Sequence, residues 1–196
     1  MTFGRKEINM KKVIIAAFLG GLVVFAWGAI CHMLLPVGQM GLQSLPNEEI
    51  LRSSLKQSIP EPGMYFFPGM DMSHALTPEE EKVWTAKYEE GPIGLLIINP
   101  IGESPMPPSL FINEIVANML AAVVAAYLLT FISRGSLFRG IVVGLLGIFG
   151  WFSFSISYWN WYDFPFSFIL GELIDQAIGW FLAGLVMAWL VKPRSK

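Results

Sequence analysis

Charge is what this chain has least of. Only 14% of its 196 residues are Asp, Glu, Lys or Arg, against about a quarter in an ordinary soluble domain. A chain so poor in charge, with 54% hydrophobic residues and 14% aromatics, points to a lipid environment. The net charge of −2 marks no nucleic-acid partner. Cysteine is scarcer still: Cys31 stands alone, which excludes an internal disulfide. Gly28-Ala29-Ile30-Cys31 superficially resembles a lipoprotein cleavage site, but Ile30 stands where a small residue is needed. No small-x-small signal-peptide cut follows either, so the first apolar segment is expected to be retained. His32 and His74 are the only histidines, too few and too far apart for a zinc site or a haem pair. No phosphate-binding loop, nucleophile elbow or metalloprotease helix is present. Catalytic residues, metal ligands and cofactors are therefore not assigned, and an enzyme is the less favoured reading.

What is present is four long apolar segments. Residues 13–35 form the first; its 23 residues are enough to cross a hydrocarbon core of about 30 Å at 1.5 Å per residue. Pro36 disfavours helix at Leu35 and should end it. Residues 112–132, 140–159 and 168–191 are the others. A polar leader (1–12), a tight connection (133–139), an aromatic turn (160–167) and a short tail (192–196) surround them. The expected fold is a membrane all-α protein, a four-transmembrane-helix bundle.

Residues 36–111 differ in kind, holding ten of the fifteen acidic residues. Pro46-Asn47-Glu48-Glu49 opens an amphipathic helix to about Ser58, with Ile50, Leu51, Leu55 and Ile59 at helical spacing and Asn47 expected as its cap. Thr77-Pro78-Glu79-Glu80 is a helix start with Thr77 as cap, Pro at the first position and Glu80 three residues after the cap. Val83, Trp84 and Tyr88 would form that helix's apolar side. Met64–Phe67 and Gly94–Asn99 read as strands. The region is expected to be a small α+β insertion between the first two spanning helices.

Basic residues orient the whole. Nine of the thirteen Lys and Arg lie in the leader, the 133–139 connection and the tail, so the positive-inside rule puts both termini in the cytoplasm of an inner (plasma) membrane and the insertion outside. Trp159, Trp161 and Tyr162 fit an outer interfacial belt. With that orientation His32 ends its helix near the outer surface. Glu114 and Asn118 open the second segment there, and Glu172, Asp175 and Gln176 open the fourth. No ionisable residue is expected in the cytoplasmic half of the bundle.

Facing is legible too. Glu172, Asp175, Gln176, Gly179 and Ala183 share one helical face, as do Glu114, Asn118, Ala121, Ala122 and Ala125. Gly21, Gly28, Cys31 and His32 lie on one side of the first segment, and Gly140, Gly144 and Gly147 on one side of the third. Small residues let membrane helices approach closely. The polar groups continue these small-residue faces, so His32, Glu114, Asn118, Glu172, Asp175 and Gln176 are expected to form a polar cup at the outer end. Such a cup can be interhelical glue or can hold a ligand or ion. Two functions are carried forward: a binding or assembly component, with the bilayer and a second membrane or envelope protein as partners, and a small transporter or channel-like protein using the outer carboxylate/histidine site.

Overall fold

The computed structural model describes residues 9–71 and 73–193. Arg5, Lys6, Arg194 and Lys196, which enter the charge count, lie outside the described residues. Four long apolar helices carry the chain: α1 (Met10–Met33), α4 (Pro108–Leu129), α5 (Ser136–Tyr162) and α6 (Phe166–Leu190). Between α1 and α4 come α2 (Glu48–Ser58), β1 (Gly63–Phe67), α3 (Pro78–Glu90) and β2 (Gly94–Ile98). Each long helix is long and apolar enough to cross a membrane. Their outward side chains are apolar as well: Phe149 is 69% exposed and Trp189 81%. A surface of that kind suits acyl chains and not water.

Two compact units form, residues 9–42 with 106–193, and residues 43–105. The insertion is thus shorter than the 36–111 span expected. Residues 36–42 stay with the helices because a 3-10 turn, Pro36–Gln39, packs on α1 and α6. Gly41 follows in a left-handed conformation (φ +81°), and a Cβ there would meet the Phe168 backbone at 2.8 Å. Only glycine satisfies both conditions.

Within the helical unit α1 packs on both α4 and α6, and α5 packs on α6. Glycines set these approaches. A Cβ on Gly147 would lie 2.5 Å from the Gln176 carbonyl oxygen, and one on Gly184 3.0 Å from the Gly140 Cα. Gly140, Gly144 and Gly147 therefore bring α5 onto α6 as a small-residue seam. Gly21 does the same for α1 against Met119 of α4, and Gly20 for α1 against Met187 of α6. The apolar core gathers early α1 (Val13, Ala16, Ala17), late α4 (Ala122, Ala125, Ala126, Leu129) and late α6 (Ala183, Met187, Ala188). So α1, α4 and α6 meet at one end of the unit, the end expected to be cytoplasmic from the sequence.

Several expectations need correction. Helical hydrogen bonding in α5 begins at Ser136 and continues to Tyr162, beyond the 140–159 segment on both sides. Neither Ser-Leu-Phe-Arg nor Trp-Asn-Trp-Tyr contains a helix breaker, and only Asp163, in the left-handed region, turns the chain toward α6. Ala121 is exposed. The buried stripe of α4, Ala122-Ala125-Ala126-Leu129, is rotated by roughly 70° from the line through Glu114 and Ala121. The largest correction concerns Arg139, expected in a loop. It lies in the first turn of α5 and is 3% exposed. Its Nη1 donates to the carbonyls of Ala188 (2.8 Å) and Val191 (2.9 Å), and its Nη2 to that of Leu129 (3.0 Å). The last carbonyls of a helix have no partner within the helix, and they carry the negative end of its dipole. One guanidinium thus serves the ends of both α4 and α6. The supposedly uncharged half of the bundle contains a buried cation.

In the second unit β1 and β2 pair antiparallel, with Met64 opposite Ile97, Tyr65 opposite Leu96 and Phe66 opposite Leu95. The capping box is complete: Thr77 Oγ1 accepts from the Glu80 amide, and the Glu80 carboxylate accepts from the Thr77 amide at 2.8 Å. Trp84 Nε1 donates to the Pro68 carbonyl (3.0 Å), and Tyr88 stacks on Phe66. Val83, expected beside them, is 57% exposed. Asn47 stands at the start of α2 in the left-handed region and its side chain caps nothing. None of the described residues of this unit is buried.

Candidate functional site

At the end of the helical unit opposite Arg139, α4 and α6 no longer share a core, and a cavity of about 490 Å³ lies among α1, α4 and α6. His32, Glu114, Asn118, Glu172, Asp175 and Gln176 all line it. The three helices bring them together because each contributes from its end on that side. Glu172 and Asp175 stand six and nine residues into α6, about 9 and 14 Å along its axis. Glu114 and Asn118 stand six and ten residues into α4. His32 is in the last turn of α1, where the helix dipole favours a cation. A Cβ on Gly38 would overlap the His32 ring, so the 3-10 turn also holds the imidazole.

Each polar group has a distinct environment. Asn118 Nδ2 donates to Glu114 Oε1 at 3.0 Å, and Gln176 Oε1 accepts from Trp180 Nε1 at 3.0 Å. Asp175 is half-buried. Its Oδ1 is shielded from solvent and has no hydrogen-bond donor among the described residues. The Cys31 thiol, His32 and Glu114 all lie close enough to the same carboxyl group to act on it electrostatically. Glu172 in turn feels Asp175 and His32. Three carboxyl groups therefore face one imidazole. No ion pair joins His32 to a carboxylate among the described residues.

Apolar side chains complete the walls, with Val24, Phe25 and Ala29 from α1 and Leu110 and Phe111 from α4. Sequence reasoning did not assign these. Gly28 belongs to the small-residue face of α1, yet nothing lies within 4 Å of a Cβ built there. It opens space where Gly20 and Gly21 close it. No group of three or more His, Cys, Asp or Glu side chains that could hold a metal ion forms among the described residues. The second unit has its own shallow depression of about 310 Å³, beside Leu76, Glu80, Val83 and Trp84.

Fold and site together define a polytopic membrane protein, a four-helix bundle with a small α+β insertion between its first two spanning helices. No protein family, curated protein or solved structure matches the chain.

Proposed function

We propose that the protein is a binding component of the inner (plasma) membrane whose cavity holds a cationic ligand. In this reading both termini are cytoplasmic, residues 13–35, 112–132, 140–159 and 168–191 cross the hydrocarbon, and the insertion lies outside. The nine basic residues of the leader, residues 133–139 and the tail support that orientation. The cavity then faces outward, at a depth where carboxylates cost less than at the midplane. The observation that carries the reading is convergence: six polar residues from three helices line one space of ligand size. Carboxyl groups in excess over imidazole give that space a preference for positive charge. Small-transporter or channel activity would use the same site.

The test is thermal unfolding of the purified protein with and without sodium, calcium, tetramethylammonium and tetraphenylphosphonium. At least one cation should raise the midpoint of the wild type and not that of Glu172→Gln or Asp175→Asn. If none does, the reading fails.

A second role, assembly with another membrane or envelope protein, draws on a different observation. The insertion has no buried residue among those described, and the paired Met64 and Ile97 are 65% and 71% exposed. A small domain with an uncovered apolar ribbon gains by covering it with a partner. A photo-crosslinking side chain at Ile97 should capture a partner in native membranes; recovery of the uncrosslinked monomer alone would remove this role.

A further inference from the structure

We infer that the ligand of this cavity is an amphiphilic organic monocation, a single positive head on an apolar body, and not an inorganic ion. The inference rests on the cation-binding reading above and narrows it. Three observations carry it. First, the space is large: about 490 Å³, where one water occupies about 30 Å³ of liquid, so a bare ion would leave most of it unfilled. Second, the carboxyl groups of Glu114, Glu172 and Asp175 come from α4 and α6, whereas α1 contributes Val24, Phe25 and Ala29 besides the single imidazole of His32. Apolar walls with a few convergent charges suit a ligand that has both characters, and phenyl faces attract ammonium-type heads. Third, among the described residues no three ligating side chains converge as a metal requires.

Asp175 is the residue to which the head should go. Its Oδ1 is the one carboxylate oxygen in the cavity shielded from solvent and lacking a donor among the described residues. Glu114 is already engaged by Asn118.

The test uses the full chain in nanodiscs of zwitterionic lipid, with radiolabelled tetraphenylphosphonium as probe and tetraphenylborate as an anion of the same shape. The expected result is saturable binding, unaffected by tetraphenylborate and weakened about tenfold or more by Asp175→Asn. Gly28→Leu, at a cavity-lining position where an added Cβ meets nothing within 4 Å, should abolish binding while the protein still unfolds cooperatively at an undiminished temperature. Saturable binding that Gly28→Leu leaves intact places the probe elsewhere and overturns the inference. If sodium or calcium stabilises the protein through Asp175 while tetraphenylphosphonium does not bind, the cation site survives and the amphiphile is wrong. If no cation binds, both fall.

Discussion

The Arg139 guanidinium donates to the carbonyl oxygen of Ala188 at 2.8 Å, so the first turn of α5 closes the last turn of α6. The same side chain reaches Leu129 at the end of α4. Three helix ends are tied by one residue, at the end of the bundle where α1, α4 and α6 share their core. At the opposite end a cavity lies among them. Charge is thus used in two ways: a buried cation binds the helices together at one end, and carboxyl groups line an open space at the other.

Arg139→Ala should be the most damaging single change outside the cavity. It takes the guanidinium away from three carbonyls in a buried site, of which Leu129 keeps the Ile132 amide at 3.3 Å, and hydrogen bonds from a charged group are worth about 1.5–3 kcal/mol each. A loss of about 3 kcal/mol or more is expected by equilibrium unfolding in detergent. Arg139→Lys should recover only part of it, because an ammonium lacks the planar fork that reaches both α4 and α6. Wild-type stability in Arg139→Ala would show that the contacts contribute nothing.

Gly147 and Gly150 offer a matched pair one turn apart. A Cβ at Gly147 would press on the Gln176 carbonyl, whereas one at Gly150 meets nothing within 4 Å. Gly147→Ala should cost about 1–3 kcal/mol through the forced separation of α5 and α6. Gly150→Ala should be neutral or slightly stabilising, since alanine favours helix. Thermal unfolding of both variants reads the difference directly; equal effects would contradict the seam.

The Glu80 carboxyl, outside the spanning helices, is held below its ordinary pKa of 4.5, first by the Thr77 amide, then by the Thr77 hydroxyl and the His74 imidazole. A group depressed in the folded state contributes fully above its unfolded pKa, and the contribution is lost as pH falls through the folded value. The start of α3 should therefore stay capped down to a pH below 4.5 and loosen only under more acidic conditions. NMR titration of the Thr77 amide should show a midpoint below 4.5. Thr77→Ala should move that midpoint up part of the way, since the backbone bond remains, and should cost about 1 kcal/mol of helix stability. A wild-type midpoint at or above 4.5 would refute the capping account.

Much of this architecture is written locally. The spanning helices follow from apolar length, and the Thr77–Glu80 box from residue types at fixed spacing. The convergence of His32, Glu114 and Asp175 follows from helix direction and depth alone. Arg139 shows where such reading stops. Grouped with Ser133, Arg134 and Gly135, it looks like part of a hydrophilic loop. Yet it lies four residues before Val143 and eight before Gly147, on the face that packs against α6, and that periodicity was the available signal. The cavity's apolar wall has no local signature at all. Whether Gly28 meets a neighbour, as Gly21 does, depends on how far α1, α4 and α6 have diverged at that depth, a property of the three helices together. Asn47 fails as a cap because its backbone takes the left-handed region, which Asn tolerates more readily than most residues.

Cysteine accessibility tests the central claim most directly. In a Cys31→Ala background, Asn118→Cys places a thiol on the cavity wall. Two membrane-impermeant methanethiosulfonate reagents, one bearing a trimethylammonium group and one a sulfonate, are added from outside intact cells. An outward cavity that prefers positive charge predicts labelling by the cationic reagent at a clearly higher rate than by the anionic one. It also predicts that Asp175→Asn narrows the gap between the two rates. No labelling from outside, or equal rates for both reagents, would contradict it.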